Sequence, residues 1–447
     1  MTSSARRSAT ALAIVVIVFA VVLAYALWPT PSHIIGANSF IRADPASIER
    51  GRYLSVAAGC AACHTAAAGK DFAGGRPIAS PIGTIYSTNI TPDRGTGIGS
   101  FTLDQFDRAV RRGIGSRGGT LYPAMPYPSY SRMRDEDVAD LYNYFMHGVE
   151  PASIQSPANS IPWPLSVRWP VAIWRKLFAP AADAPSFDAS RFNDPVVARG
   201  AYLVQGPGHC GACHTPRGFS LQEKALDESS ELYLAGGQVI DGWVAVNLRG
   251  NSADGLGNWS KDDIVATLRM ARDTRHAVIG AAMGEVVLHS TQYLWDGDLQ
   301  AIASYLKTLP PARNDSSAFA ANPATAAALT TGREADRGAQ LYLDNCSACH
   351  RSGGAGSANV FPEIAGNSSV LSSDPTSLIR LVLRGSSLPR IPGSPSALGM
   401  PDFGWRLSNA EVAQLLTFIR NSWGNRAPSV SPREVADVRA ASEPARK

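Results

Sequence analysis

The sequence predicts an all-α protein of three tandem helical domains after an N-terminal hydrophobic helix. The pentapeptide C-x-x-C-H occurs three times, a glycine-containing segment precedes each copy, and an amphipathic segment ends each repeat. At 447 residues the chain has room for about three domains of ordinary size. We therefore expect domains at residues 45–150, 193–310 and 333–426.

The first predicted element is the N-terminal segment, residues 1–32. Two arginines precede an uncharged apolar run over residues 11–28, which is near the lower length limit for crossing a bilayer. The next Lys or Arg is Arg42, so the positive-inside rule predicts a cytoplasmic N-terminus and an exported remainder. We expect a retained membrane anchor. The alternative is a cleaved signal peptide with the A-Y-A sequence at residues 24–26 as its cleavage site.

All six cysteines belong to the three pentapeptides. C-x-x-C-H is the attachment signature of c-type haem, in which both thiols bond the haem and the adjacent histidine ligates the iron. A zinc site needs about four ligands, whereas each motif supplies three, and disulfide frameworks belong to short, cysteine-dense chains. The sequence therefore predicts three covalently bound haem c groups. Their attachment residues are Cys60, Cys63, Cys210, Cys213, Cys346 and Cys349, and their histidine ligands are His64, His214 and His350.

Two helices are expected to frame each repeat. The segment before each motif contains a glycine, namely Gly51, Gly200 and Gly338. The closing helices are predicted over residues 135–147, 298–309 and 408–423. Their apolar residues recur at spacings of three and four, which indicates one buried face. A glycine lets the closing helix cross closely, and this is the helical frame of a small class I cytochrome c.

Repeats one and two also share a central loop. Asn89 and Asn247 each precede a G-x-G sequence by eight residues, and Thr102 and Ser260 are then predicted helix N-caps. Repeat three lacks this loop and is a more divergent copy. The two asparagines are candidates for contact with haem propionates, with turn formation as the alternative.

Two residues beside the second motif invite similar interpretations. Arg217 is a second candidate for propionate contact, with solvation as the alternative. His209, which directly precedes Cys210, is a candidate for contact with the haem edge, although a local hydrogen bond is the more ordinary role.

One methionine per repeat lies between the middle and closing helices, in a segment predicted to be a loop. These are Met125, Met283 and Met400, which follow the motif histidines by 61, 69 and 50 residues. A thioether opposite the histidine favours Fe(II) and raises the potential. Core packing is the usual alternative for a methionine. Because a His/Met iron has no open position for substrate, we expect no catalytic residue.

Two linkers and a tail complete the chain. Residues 151–192 are rich in proline and contain three tryptophans, and Pro170 is predicted to start a short helix. The Trp174 face of that helix either packs between repeats or docks on a partner or the membrane interface. Residues 311–332 are expected to be flexible, and the polar tail at 427–447 is expected to be disordered.

With these repeats laid out, the chain resembles the triheme cytochrome c subunit of bacterial membrane-bound alcohol, gluconate, sorbitol and fructose dehydrogenases. The resemblance extends from about residue 46 to 429 and is carried by residues 60–64, 80–91, 121–127, 144–149, 210–216 and 415–424. It implies three haems with His/Met ligation, which matches Met125, Met283 and Met400. It also implies a catalytic partner subunit containing flavin, quinoprotein cofactor or molybdenum, and electron delivery to ubiquinone at the inner membrane with the haem domains in the periplasm.

The expected function is electron transfer as a subunit of an oxidoreductase complex, without an enzymatic site of its own. The alternatives are a stand-alone multihaem enzyme of the peroxidase or thiosulfate-oxidising type, and the cytochrome subunit of a terminal oxidase. The net charge of +4 is too weak to indicate nucleic-acid binding.

Overall fold

The computed structural model describes residues 3–28, 44–181, 186–273, 275–276, 279–312, 319–333, 336–392 and 399–442, without the side chains of 3–9 and 27. Parts of six predicted segments lie outside the described residues: 1–2 and 29–32 of the anchor, 182–185 and 313–318 of the linkers, 274 and 277–278 of the second domain, 334–335 and 393–398 of the third, and 443–447 of the tail. The chain forms two compact units. Unit 1 comprises residues 1–54 and 63–188, and unit 2 comprises 55–62 and 189–447.

The first part of the chain, up to residue 178, contains seven of the described helices and one hairpin. They are α1 (Ser3–Leu27), α2 (Pro45–Ala57), α3 (Cys60–His64), β1 (Pro77–Ser80), β2 (Gly83–Tyr86), α4 (Leu103–Arg112), α5 (Tyr127–Tyr130), α6 (Asp135–His147) and α7 (Trp169–Phe178). β1 and β2 pair antiparallel. The prediction of an N-cap at Thr102 is confirmed, since its side chain accepts a hydrogen bond from Gln105 N in a capping box.

The described elements from residue 189 onwards follow this order in the second repeat, whereas in the third the two strands come after the middle helix. They are α8 (Pro195–Gln205), α9 (Gly211–His214), β3 (Val239–Ile240), β4 (Trp243–Val244), α10 (Lys261–Met270), α11 (Ala281–His289), α12 (Asp296–Thr308), α13 (Ala324–Thr331), α14 (Arg337–Asn345), α15 (Ser347–His350), α16 (Ser368–Leu371), α17 (Thr376–Arg384), β5 (Ser386–Ser387), β6 (Gly399–Met400), α18 (Asn409–Arg420) and α19 (Pro432–Ser442). Short 3₁₀ turns occupy Ala189–Arg191 and Thr291–Tyr293. Helices dominate, as the all-α prediction requires, and the strands are two to four residues long.

The same helix crossing occurs three times in the described residues. A Cβ added at Gly51 would lie 2.0 Å from the carbonyl oxygen of Asp140 in α6. Added at Gly200 or Gly338, it would lie 1.9 Å or 2.5 Å from a backbone oxygen of α12 or α18, respectively. Only glycine permits this approach, so the expectation drawn from the three glycines is confirmed.

An ion pair accompanies each crossing and was not anticipated from the sequence. The residue before each glycine is an arginine, and its guanidinium pairs with an acidic side chain of the closing helix. The pairs are Arg50–Asp140 at 2.6 Å, Arg199–Asp298 at 2.8 Å and Arg337–Glu411 at 2.8 Å. Each pair fixes the rotation of the first helix against the last.

Helix α7 lies against α1 within unit 1. The ring of Phe19 meets that of Trp169 edge-on at 5.8 Å, and the Lys176 ammonium donates to the carbonyl oxygen of Trp28 at 2.8 Å. The predicted apolar face of α7 is only partly buried: the Trp174 ring meets the buried Tyr127 ring at 6.2 Å, whereas Leu177 is 61% exposed. As far as the chain is described, no helix has both the length and the hydropathy needed to cross a membrane.

Within the described residues, the expected flexibility of the second linker and the expected disorder of the tail are both wrong, since each contains a helix. In the tail, α19 packs on the third repeat with Val435 fully buried, and Arg439 donates to the carbonyl oxygens of Gly404 and Leu407. In the second linker, α13 buries Leu329 in the same core. Composition was misleading because each of these helices is attached to the existing core through a single buried residue, which tertiary packing makes sufficient.

Candidate haem-attachment sites

Each C-x-x-C-H motif folds as one short helical turn. Helix α3 contains all of the first motif, and Cys210 and Cys346 stand at the N-caps of α9 and α15. Residues at i, i+3 and i+4 share one face of a helix, so both thiols and the imidazole of each motif are presented on the same side.

The cysteines are neither bridged nor activated. None of the six forms a disulfide. Burial raises the pKa of Cys210 and Cys346 to about 12 and also raises the pKa of Cys63. Reactive catalytic thiols need a depressed pKa, which these three thiols do not have. Protonated paired thiols on one face fit covalent attachment to a haem.

Each motif histidine has the same hydrogen bond through Nδ1. His64 contacts the backbone oxygen of Thr88 at 2.7 Å, and His214 contacts that of Val246 at 2.7 Å. His350 contacts that of Pro362 at 3.1 Å. A carbonyl oxygen can only accept, so Nδ1 carries the proton in all three rings and Nε2 presents its lone pair.

Burial also keeps these imidazoles neutral. It lowers the pKa of His64, His214 and His350, against a smaller opposing effect of the backbone carbonyl. A neutral ring with Nδ1 protonated is the tautomer that binds a metal through Nε2, and the second hydrogen bond fixes ring orientation and raises ligand basicity. The residues present therefore fit a haem iron.

A glycine with positive φ holds each orienting carbonyl in place. The N–H groups of Gly74, Gly236 and Gly356 donate to the backbone oxygens of the motif histidines at 2.7, 2.7 and 3.1 Å. Their φ angles are 74°, 74° and 59°. Each glycine thus closes a turn that begins at the histidine itself.

These glycines also touch the segment that carries the carbonyl. A Cβ on Gly74 would lie 2.5 Å from the carbonyl carbon of Thr88, and on Gly236 it would lie 2.7 Å from that of Val246. On Gly356 it would lie 2.5 Å from the oxygen of Pro362. Any side chain there would push away the group that orients the histidine.

Sequence reasoning missed both the carbonyl residues and these glycines. A backbone oxygen carries no residue-type signal, so Thr88, Val246 and Pro362 were not identifiable. The glycines did leave a signal, since the tripeptide A-G-G recurs at 73–75 and 235–237, before β1 and β3.

The predicted methionine ligands lie in three different settings. Met125 is half-buried in the turn before α5, and Met400 lies in β6, paired with Ser386 and packed against the third-repeat core. Met283 lies in the first turn of α11, which corrects its placement in a loop. The glycine-rich sequence before it suggested a loop, but Gly280 acts as the extended N-cap of this helix.

The remaining candidates are engaged in local hydrogen bonds. Asn89 Oδ1 accepts from Thr91 N at 2.9 Å while its Nδ2 donates to Ala152 O at 2.7 Å. Asn247 Oδ1 likewise accepts from Arg249 N at 2.9 Å. Both asparagines are buried, and the turn interpretation therefore describes them better than propionate contact.

Arg217 and His209 are also held by the backbone. Arg217 donates to the carbonyl oxygens of Ala212 and Leu221, which makes it a loop brace next to the second motif. His209 Nε2 lies 3.3 Å from the carbonyl oxygen of Ala58, and burial lowers the pKa of His209. His209 therefore has the local hydrogen bond expected as its ordinary role, whereas Arg217 is held by backbone carbonyls and is not simply solvated.

Comparison with known proteins places this geometry in context. The Cytochrome c family matches residues 48–148 and 335–423. The gluconate 2-dehydrogenase cytochrome c subunit of Pantoea cypripedii is 49% identical over 415 residues, covering 91% of this chain and 93% of that protein.

Two further relatives agree over similar lengths. The cytochrome c subunit of the quinone alcohol dehydrogenase of Gluconobacter oxydans (strain 621H) is 48% identical, over 92% of this chain and 85% of that protein. The fructose dehydrogenase cytochrome subunit of Gluconobacter japonicus is 39% identical, over 88% of this chain and 83% of that protein.

Proposed function

We propose that the chain takes electrons from a dehydrogenase catalytic subunit and delivers them to ubiquinone. The chain belongs to the family of cytochrome c subunits of gluconate, alcohol and fructose dehydrogenases. The observation that carries this proposal is the threefold Nδ1–H to carbonyl hydrogen bond, which leaves three imidazole Nε2 atoms as metal ligands. Three such ligands in one chain support three haems.

The residues divide the work of holding these haems. The cysteine pairs attach them, the motif histidines ligate the irons, and Met125, Met283 and Met400 are proposed as the opposite ligands. A haem c with His/Met ligation supplies one-electron Fe(III)/Fe(II) chemistry at a raised potential. The chain contributes orientation, burial and exclusion of water around each site, and no acid–base or nucleophilic residue is required.

We also propose that the haem-binding repeats lie outside the cytoplasm at the inner membrane. Many of the described side chains of α1 are apolar and exposed, including Leu12, Val15 and Val21 at 65%, 62% and 63% exposure. Exposed apolar side chains of this kind suit contact with a membrane surface, and no described helix is long and apolar enough to span the bilayer. Helix α7, which lies against α1 and carries Arg175 and Lys176, would then lie at headgroup level.

Haem content and reconstitution test this function. The purified chain should contain three haems per polypeptide by pyridine haemochrome assay, and it should co-purify with a dehydrogenase subunit from the native membrane. Addition of that subunit's substrate should reduce all three haems and then a water-soluble ubiquinone analogue. Two haems or fewer would contradict the threefold ligand set. Co-purification with an oxidase core would favour the terminal-oxidase alternative, and peroxide turnover by the chain alone would favour a stand-alone enzyme.

A further inference from the structure

Three arginine side chains are the largest groups fully buried in unit 2: Arg249, Arg272 and Arg420. Two of them are satisfied by carbonyl oxygens on several nitrogens. Arg249 donates from Nε and Nη1 to Pro310 and Tyr233, and Arg420 donates from all three nitrogens. These two arginines have a structural role, because several backbone carbonyl oxygens accept hydrogen bonds from their guanidinium nitrogens.

Arg272 differs from both. It is 2% exposed, its one described hydrogen bond is a 3.2 Å contact from Nη1 to the carbonyl oxygen of Asn359, and its Nε has no acceptor. Within the described residues, no carboxylate pairs with it. Burial lowers the pKa of Arg272, but a guanidinium remains charged at any physiological pH. The protein therefore keeps an uncompensated positive charge inside unit 2.

The charge lies against the loop that orients the third histidine. Asn359 stands three residues before Pro362, whose carbonyl oxygen accepts from His350 Nδ1 at 3.1 Å. The same short segment of the second repeat also holds the other side of that loop. Glu363 N donates to the carbonyl oxygen of Arg275 at 3.0 Å. Residues of repeat two thus contact the loop on both sides of the orienting carbonyl.

We propose that Arg272, although it belongs to the second repeat, is an electrostatic positioning residue of the third haem and raises its reduction potential. The inference rests on the proposed function, since it requires a haem at the third motif. Reduction of a haem iron removes one unit of positive charge. A cation held nearby disfavours the oxidised form more than the reduced form, because the Fe(III) site carries one more positive charge.

Two substitutions separate charge from shape. Arg272→Gln removes the charge and keeps an N–H donor for the Asn359 oxygen, whereas Arg272→Lys keeps the charge. Arg269→Gln is the matched control, because Arg269 lies three residues away and its charge is already paired with the exposed Asp296. The potentials are measured by spectroelectrochemical titration of the full chain. The third haem is identified by repeating the titration with Met400→His, which lowers the potential of that haem alone.

We expect Arg272→Gln to change the Fe(III)/Fe(II) equilibrium constant of the third haem about tenfold towards Fe(III), a lowering of 59 mV for one electron. Arg272→Lys should stay near the parent value, and Arg269→Gln should change none of the three potentials. An unchanged third potential in Arg272→Gln overturns the proposal. So does an equal shift in Arg272→Lys, since geometry and not charge would then be responsible.

If Arg272→Gln fails to bind its third haem, a second measurement on Arg272→Lys still tests the proposal. In Arg272→Lys the third potential should then fall as pH rises through the pKa of the new lysine, while the parent shows no such step. The titratable groups on the same segment and on the helix before it are Asp263, Asp273 and His276, whose ligand atoms lie within 4.8 Å of one another, and both chains contain them. A pH profile identical to the parent contradicts the proposal. A haem count below three in the parent chain would instead contradict the proposed function.

Discussion

The role of the glycines that contact the histidine-orienting carbonyls can be tested at Gly236, with the adjacent Gly237 as the control position. Gly236 and Gly237 both have positive φ, 74° and 84°. A Cβ on Gly236 would lie 2.6 Å from Asn247 N, whereas a Cβ on Gly237 would meet nothing within 4 Å. Alanine at either position therefore incurs the same left-handed backbone strain, about 1–2 kcal/mol. Only Gly236→Ala also collides with the segment that carries the Val246 carbonyl.

The extra effect follows from the distances. Relieving a 2.6 Å contact to the ordinary 3.4 Å limit needs a shift of 0.8 Å (3.4 − 2.6) in the segment after β4. The 2.7 Å bond from His214 Nδ1 to Val246 O would then lengthen beyond hydrogen-bonding range. Such a bond contributes about 0.5–1.5 kcal/mol. Gly236→Ala should therefore lower the free energy of unfolding by about 1.5–3.5 kcal/mol, against about 1–2 kcal/mol for Gly237→Ala.

The redox readout separates this effect from general destabilisation. Losing the Nδ1 hydrogen bond makes the imidazole a weaker base, which disfavours Fe(III) and raises the potential of the second haem. If the whole bond energy were expressed, the rise would reach about 60 mV. Denaturant unfolding and spectroelectrochemical titration of both variants measure the two quantities. Equal potentials in Gly236→Ala and Gly237→Ala would refute the reasoning.

Three further predictions concern ligation, packing and pH. Met283→Ala should remove one third of the methionine–iron charge-transfer band at the red end of the spectrum, while Met133→Ala, in the core, should leave that band intact; an unchanged band in Met283→Ala would reject this ligand. Gly200→Ala should destabilise the fold by about 1–3 kcal/mol, because the new Cβ overlaps α12. Gly297→Ala should raise stability by up to about 1 kcal/mol, because open space surrounds this helical glycine. Equal melting temperatures of the two variants would contradict the close crossing. The backbone N–H of the N-cap serine of α18 lowers the pKa of Glu411. The stabilisation that this carboxylate contributes is therefore present above its unfolded-state pKa and is lost as pH falls. Glu411→Gln should melt at a lower temperature than the parent at neutral pH, and a difference that persists in acid would contradict this prediction.

The helical frame was predictable because its signals are local. The apolar spacing gave α6 its observed bounds, Asp135–His147, and the serine at the start of α10 caps the helix through Asp263 N as expected. The motif residues were predictable because covalent haem attachment demands particular side chains at fixed spacing.

The parts that were missed depend on distant partners. The Arg–acid pair at each crossing joins residues about 75–100 positions apart, as in Arg199 and Asp298, and no single segment contains both signals. The carbonyls that orient the histidines are backbone atoms and therefore carry no residue preference. Met283 was placed in a loop because glycines surround it, whereas the fold uses one of those glycines as an N-cap.

The three histidine–carbonyl bonds close chain segments of unequal length, and this orders the sites by ease of assembly. The bonds of His64 and His214 span 24 and 32 residues, and that of His350 spans only 12. Closing a 12-residue loop instead of a 32-residue loop saves about 0.9 kcal/mol of chain entropy. The third histidine therefore meets its acceptor soonest after its own synthesis. After partial unfolding, His350 is also the first of the three histidines to regain the hydrogen bond that orients its imidazole ring.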